Sequence, residues 1–176
     1  MNTILINCML YAFAVSARAD SGLALVKGTA QGSAVAGTVS FEDTAQGLKI
    51  ALRVSGLTPG AHGFHIHEWG RCDDAGKAAG GHYNPAHAPH GEALKHGPQK
   101  AHAGDTGNIV ADEKGQAALD AVLPGVALAS GTFTVAGRAV IIHKDVDDFS
   151  QPLGNAGGRV ACGLIALAPP EPPAAK

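Results

Sequence analysis

Hydrophobic and polar residues alternate over short stretches along most of this chain, and a period of two is typical of β-strands with one buried face. Leu48 to Val54 shows this alternation clearly. Glycine, proline and other turn residues separate the stretches at spacings of about 8 to 12 residues, which favours an antiparallel sandwich or barrel. The predicted strands are 23–30, 34–41, 48–54, 62–67, 108–111, 117–123, 132–135, 138–143 and 159–167.

Two segments interrupt the strand pattern. Residues 69–107 and 145–158 show little periodicity and contain many glycine, proline and alanine residues. A loop of about forty residues inside a compact domain is unusual unless it is functional or is fixed by cross-links. We therefore expect an all-β domain of about eight strands that carries its functional site on these two loops.

The composition agrees with one compact β domain. With 176 residues, 45% of them hydrophobic, the chain is long enough to bury a substantial core. Its 24 glycines and 10 prolines disfavour a helical bundle. The formal net charge of -2 argues against a polyanion such as nucleic acid as a partner.

Residues 1–19 have the pattern of a secretory signal peptide. Ile4 to Val15 is mostly apolar, and Ala17-Arg18-Ala19 supplies the small residues of a signal-peptidase site. We predict a domain over residues 20–168, followed by a flexible, proline-rich tail over 169–176 that cannot join a sheet. The mature chain is thus expected to be periplasmic or secreted, with no membrane segment.

The cysteines fit an exported protein. Cys8 lies in the predicted signal peptide, so Cys72 and Cys162 are left as a pair in the mature chain. An even pair in an exported chain indicates a disulfide, and two buried free thiols are the alternative. Closing about 90 residues of chain would restrict the unfolded state by roughly 4 to 5 kcal/mol.

The histidines point to metal binding. Eight of the nine lie between His62 and His102, and the ninth, His143, ends a strand-like run. His65 and His67 are two residues apart in a predicted strand, so both rings can reach one ion from the same face. His102 and Asp105 form a compact nitrogen and oxygen pair, which suits zinc, whereas imidazoles alone suit copper. Two different metal sites are therefore expected.

Four motifs resemble those of the copper/zinc superoxide dismutase family. They are Gly63-Phe64-His65-Ile66-His67-Glu68, Gly81-His82-Tyr83-Asn84-Pro85, His102-Ala103-Gly104-Asp105 and the run from Gly154 to Gly163. The resemblance covers residues 23–167, and the short second loop is similar to that of the bacterial, exported type. It implies an eight-stranded antiparallel Greek-key β-barrel or sandwich with a long metal-binding loop and a short electrostatic loop.

The same resemblance implies two ligand sets that share one histidine. The copper ligands would be His65, His67, His82 and His143. The zinc ligands would be His82, His90, His102 and Asp105. His96 is the alternative to His90, because the segment around it is similar to that of some bacterial members, and His62 and His87 are expected to be solvent or loop histidines.

Further roles follow from the resemblance. Asp147 would join a copper histidine to a zinc histidine, which fixes the tautomers of both rings. Arg159 would hold the anionic substrate, and Cys72 and Cys162 would form the family disulfide. Residues 148–153 are fewer and less charged than the matching loop of many eukaryotic members, and Leu153 stands where those often have a threonine lining the channel. Long-range steering of substrate is therefore expected from lysines elsewhere in the chain.

The implied activity is the conversion of two superoxide anions and two protons to dioxygen and hydrogen peroxide, through alternate reduction and oxidation of copper, with His82 central and zinc structural. A copper-delivery module is one alternative, which the complete ligand set and Arg159 disfavour. A zinc hydrolase is another, but no His-Glu-x-x-His helix is present and Glu68 would point away from the site. The oligomeric state stays open between homodimer and monomer.

Overall fold

A computed structural model describes residues 19–169 of the chain. The predicted signal peptide up to Arg18 and the tail beyond Pro169 lie outside the described residues. The described part forms antiparallel strands with very little helix. Their bounds are β1 Ser21–Gly28, β2 Ala36–Thr44, β3 Gly47–Ser55, β4 Gly60–His67, β5 Asp105–Ala111, β6 Ala117–Leu123, β7 Ala139–His143, β8 Arg159–Leu164 and β9 Ala166–Leu167.

The strands close into a barrel. Their order is β2-β3-β6-β5-β4-β7-β8-β1, and β1 pairs with β2 to complete the ring. The short β9 continues β8 after Ile165 and also pairs with β1, so the barrel has eight strands. The connections from β3 to β4 and from β6 to β7 each lead to a non-neighbouring strand, which is the Greek-key feature. The predicted fold class is confirmed.

The alternating residues of β3 explain its place in the barrel. Leu48, Ile50 and Leu52 are fully buried in the core, while Lys49 and Arg53 lie on the outer surface. Burying a large aliphatic side chain contributes about 1.5 to 3 kcal/mol, so this strand has one stable register. Its pairing with β2 runs without a break over the whole strand.

Strands β4 and β7 differ from β3, because both of their faces are buried. Phe64 and Ile66 of β4 point into the barrel core, together with Ile142 of β7. Their neighbours in sequence, including His65 and His67, point outward but are covered by the loops over residues 68–104 and 144–158. The outer face of these two paired strands is therefore the floor of a buried site.

Two sequence predictions need correction. The predicted strand at 132–135 is absent, and Thr134 forms only an isolated bridge with Ala127. Its apolar pattern reflects burial of Phe133 and Val135 inside a connection rather than strand pairing. The loop between β4 and β5 is also shorter than predicted, since β5 begins at Asp105, and it contains a 3-10 turn at Lys77–Ala79 and a short helix, α1, at Ala93–His96.

The predicted disulfide is confirmed. Cys72 in the long loop is bonded to Cys162 in β8, across a sequence separation of 90 residues. The bond holds the first third of the long loop against the barrel wall beside Ile141 and Ala79. Among residues 19–169 no helix is both long and apolar enough to cross a bilayer.

Candidate metal centre

The candidate site lies on the outer face of β4 and β7. In β4, the side chains of His65 and His67 leave this face because strand residues two apart point the same way. His143 at the end of β7 lies beside them, with 4.9 Å between its ring centre and that of His65. Two loops cover all three rings. We call residues 68–104 the long loop and residues 144–158 the short loop.

Four histidines form the first group of potential ligands. Each of them offers one nitrogen, and these nitrogens lie within 4.8 Å of one another. The ring centres of His65 and His82 are 4.1 Å apart, and those of His67 and His82 are 5.0 Å apart. The group is His65, His67, His82 and His143, and all four are buried.

A second group shares His82 with the first. The ligand atoms of this group also lie within 4.8 Å of one another, and the set contains three imidazoles and one carboxylate. The Nδ1 atom of His82 lies 2.8 Å from Oδ1 of Asp105, so its Nε2 atom faces the first group. The second group is His82, His90, His102 and Asp105. The structure thus brings together both of the predicted ligand sets.

The backbone fixes two rings of the first group. His67 donates from Nδ1 to the carbonyl oxygen of Gly80 at 3.0 Å. His143 donates from Nδ1 to the carbonyl oxygen of Gly157 at 3.2 Å. Each ring therefore keeps Nε2 as its free lone pair, and these two Nε2 atoms are 3.3 Å apart. Two lone pairs directed at each other repel, and a cation between them removes that repulsion.

Asp147 fixes one ring of each group. His65 donates from Nε2 to Oδ2 of Asp147 at 2.8 Å, and His90 donates from Nε2 to Oδ1 at 2.9 Å. The Nδ1 atoms of both rings are buried and have no hydrogen-bond partner among the described residues. His90 Nδ1 is 2.8 Å from Oδ2 of Asp105 but is not aligned for a hydrogen bond. Orphaned buried nitrogens beside ligand atoms are what a metal would satisfy, so these residues fit copper and zinc.

Burial keeps three histidines of the first group, His67, His82 and His143, uncharged. It lowers the pKa of His67 to about 2 and that of His143 to about 3, and neighbouring histidines add to both effects. Burial also lowers the pKa of His82 to about 4, against the opposing effect of the hydrogen bond that His82 donates to Asp105. Neutral imidazole is the form that binds one metal, so His67 and His143 are ready to bind near neutral pH without losing a proton. His82 is likewise neutral, and it would bind a metal through each nitrogen only after giving up its remaining N–H proton.

The second group contains two ionised side chains, Asp105 and His90. Burial opposes the charge of Asp105, but hydrogen bonds from His102 and His82 and the close ring of His90 outweigh it and hold the pKa of this carboxyl well below its usual value. Burial likewise opposes protonation of His90, yet the carboxylates of Asp105 and Asp147 raise its pKa to about 9. A proton on His90 therefore competes with a cation for Nδ1.

Arg159, at the start of β8, is fixed beside the first group. Its guanidinium donates to the carbonyl oxygens of Gly76 and Gly80 in the long loop. Partial burial lowers its pKa from the usual value, and its charge helps to lower the pKa values of His67 and His143. The side chain is half-buried, so a fixed cationic group lies beside the first group.

The three histidines outside both groups differ in exposure. His96 is exposed at the end of α1, outside both groups, whereas His90 is 4% exposed and belongs to the second. His87 is exposed, as expected, but the expectation for His62 is wrong, because it is 2% exposed. Its two ring nitrogens lie 2.8 Å from the carbonyl oxygens of His143 and Thr58, so it joins β7 to the loop before β4.

Sequence reasoning missed the residues that act through the backbone. The carbonyl of Gly80 holds both His67 and Arg159, and the side-chain amides of Asn108 and Gln151 bind backbone groups of site residues. Gly154 leaves space for Asp147. A single sequence carries no signal for such contacts, since any carbonyl or amide can make them.

The fold and the site together define a class: an all-β barrel whose outer face holds two adjoining metal sites with a shared histidine. Residues 35–165 match the family described as copper/zinc superoxide dismutase (SODC). The chain belongs to the copper/zinc superoxide dismutase family, which confirms the expected oxidoreductase activity, superoxide dismutation, and the two metals.

Individual relatives agree with this assignment. The chain is 38% identical over 141 residues to an extracellular Cu-Zn superoxide dismutase of Brugia pahangi, an alignment that covers 74% of this chain and 69% of the relative. It is 41% identical over 136 residues to one of Caenorhabditis elegans, covering 73% of this chain but only 60% of the relative. A crystal structure of the clock protein EA4 superimposes with a TM-score of 0.75 at 32% identity, covering 91% of this chain and all of that one.

Proposed function

We propose that the first group binds copper, that the second binds zinc, and that the pair dismutes superoxide with His82 as the shared ligand. The observation that carries this assignment is the position of His82. Its Nδ1 contacts Asp105 of the second group, while its ring centre lies 4.1 Å from that of His65 in the first. The donor sets also differ as the two metals require, with nitrogen alone for copper and added carboxylate for zinc.

The chain's own residues then have separate tasks. Copper, when bound, supplies one-electron redox chemistry, and zinc supplies a redox-silent charge. Arg159 binds the superoxide anion and orients it, because two backbone acceptors already hold its guanidinium in place. His82 moves one of the two protons at Nε2, the nitrogen on the side of the first group. Asp147 keeps the tautomers of His65 and His90 fixed during turnover.

The complete site favours the enzyme over a copper-delivery module. A delivery protein must release its ion, whereas here all four nitrogens of the first group are buried and three of the rings are fixed by hydrogen bonds through their other nitrogen. The half-buried Arg159 has no role in storing a cation and opposes it electrostatically. The position of this arginine is explained by an anionic substrate.

Secretion and subtype are proposed on other grounds. The names of the nematode relatives contain the word extracellular, which supports export through the pattern at residues 1–19. The same relatives do not support the bacterial type, for which the short second loop is the argument. Homodimer formation also stays a prediction, which sedimentation of the purified mature chain would test.

One experiment tests the metal assignment directly. The purified mature chain and its His143→Ala variant are analysed for copper and zinc, and superoxide decay is followed in parallel. We expect about one copper and one zinc per chain, with copper and activity lost in the variant while zinc stays bound. A variant that keeps copper and full dismutation would remove His143 from the site.

A second pair of variants tests the zinc ligand. His90→Ala is expected to lose zinc, because it removes a ring nitrogen directed at Asp105, whereas His96→Ala is expected to keep it, because His96 is exposed outside the group. Zinc content of the two variants decides the question, and loss in the His96 variant alone would reverse the assignment.

A further inference from the structure

The short loop makes a specific contact with the backbone of a proposed zinc ligand. The side-chain amide of Gln151 accepts from the backbone N–H of His90 at 3.0 Å and donates to the carbonyl oxygen of the same residue at 2.9 Å. The amide of Gln151 thus satisfies both the backbone N–H and the backbone carbonyl of His90. These are loop groups with no strand partner, so the contact replaces the sheet pairing that this part of the chain lacks.

A second side-chain amide makes the same pair of contacts with the backbone of Asp147, whose side chain is hydrogen-bonded to His90. Asn108 in β5 accepts from the backbone N–H of Asp147 at 2.8 Å and donates to its carbonyl oxygen at 2.9 Å. The side chains of Asp147 and His90 are themselves joined at 2.9 Å. The amides of Gln151 and Asn108 therefore fix the backbones of His90 and Asp147, the two residues whose side chains form this hydrogen bond.

We propose that Gln151 is a positioning residue for zinc: it clamps the short loop onto the backbone of His90, so that the ring of His90 is held in its ligating position before the metal arrives. The inference rests on the proposed zinc site. It also gives the short loop a role that does not depend on charge, since the side chain of Gln151 is neutral.

The effect on zinc binding follows from preorganisation. A loop that is already ordered loses less conformational entropy when the ion binds, so a clamp present in the metal-free protein strengthens binding. Part of Gln151 is exposed, but both of its bonds end on His90, which is 4% exposed. Outer partners of metal ligands typically contribute a factor of 10 to 100 in metal affinity, and we expect on the order of tenfold for this pair.

Three variants of the full mature chain test the clamp. Gln151→Ala removes both hydrogen bonds, and Gln151→Glu keeps the acceptor for the His90 N–H but loses the donor. Gln116→Ala is the matched control, because Gln116 is an exposed glutamine outside the site. Zinc affinity is measured by chelator competition, and hydrogen exchange of the His90 amide is measured by NMR in the metal-free protein.

We expect zinc binding about tenfold weaker in Gln151→Ala, a smaller loss in Gln151→Glu, and no change in Gln116→Ala. The His90 amide should exchange faster in Gln151→Ala but keep its protection in Gln151→Glu. Equal zinc affinity in the Gln151→Ala and Gln116→Ala variants would overturn the proposal, even if thermal stability fell. The zinc assignment itself fails only if His90→Ala keeps its zinc, so the two results are distinguishable.

Discussion

Gly154 shows how tightly single residues are packed around the proposed zinc ligand. A Cβ atom at this position would lie 1.8 Å from Oδ1 of Asp147 and 2.5 Å from Nε2 of His90, the two atoms of the hydrogen bond that joins them. Its φ angle of +70° also belongs to the left-handed region that favours glycine. The residue is required for both space and backbone conformation.

Replacement of Gly154 by alanine should therefore weaken zinc binding by more than its backbone strain explains. The control is Gly32→Ala, because Gly32 has a similar φ of +74° but nothing within 4 Å of the added Cβ. We expect the control to lose only about 1 kcal/mol of stability and to keep its zinc affinity. Zinc titration of both variants is the measurement, and equal affinities would show that the clash is relieved without cost.

Arg159→Ala tests the proposed substrate contact. A charge-assisted hydrogen bond contributes about 1.5 to 3 kcal/mol, so dismutation should slow on the order of tenfold or more with copper and zinc content unchanged. Arg53→Ala serves as the control, since Arg53 pairs with Asp120 on the exposed surface. Pulse-radiolysis rates at matched copper content decide the matter, and identical rates for the two variants would leave Arg159 without a substrate role.

At the scale of elements, the disulfide joins the long loop to the strand that carries Arg159. Cys72 precedes the two carbonyl groups, of Gly76 and Gly80, that hold the guanidinium, and Cys162 lies three residues after Arg159 in β8. The loop and the strand therefore form one support for this side chain. The backbone N–H of Gly76 also donates to the carbonyl oxygen of Cys72, which continues the connection.

Removal of the disulfide should accordingly affect stability and rate together. For a 90-residue separation, Cys72→Ser with Cys162→Ser is expected to lower the free energy of unfolding by up to roughly 4 to 5 kcal/mol. The rate per bound copper should fall as well, because Arg159 loses its fixed acceptors. Denaturant titration and superoxide decay at matched metal content measure both quantities, and a normal rate in a destabilised variant would separate the disulfide from substrate binding.

The elements that were predicted well are those with a repeating pattern. The alternation in β3 and the spacing of His65 and His67 follow directly from strand geometry, so both the barrel and the first two proposed ligands could be placed from the sequence. The run at 132–135 misled, because a buried connection and a strand can share one apolar pattern. His62 misled for a related reason, since burial of a lone histidine depends on carbonyl groups distant in sequence.

At the scale of the whole molecule, the buried charges predict how the metal-free protein responds to pH. The folded-state pKa values of His67, His82 and His143 are lowered to about 2, 4 and 3, so below the unfolded value of 6.5 the unfolded chain binds more protons. Their contribution to stability is complete above pH 6.5 and is lost as the pH falls. His90 has the opposite sign, because its pKa is raised to about 9, and its contribution is lost as the pH rises from 6.5 through 9.

The metal-free protein should therefore be most stable near pH 6.5, with a steep decline on the acid side and a shallower one on the alkaline side. As many as three protons are taken up on unfolding in acid, against one released in the alkaline range. Urea titrations from about pH 4 to about pH 9 measure the free energy of unfolding across this range. His90→Gln should abolish the alkaline slope alone, and an unchanged slope would contradict the raised pKa of His90.

The carbonyl oxygen of Gly80 has a consequence for how the molecule fails. This one atom accepts from both His67 and Arg159, so a shift of a single peptide group displaces a proposed copper ligand and the proposed substrate-binding side chain at once. Damage to this part of the chain should therefore weaken copper binding and substrate binding together. An ageing preparation should lose bound copper and dismutation activity in step.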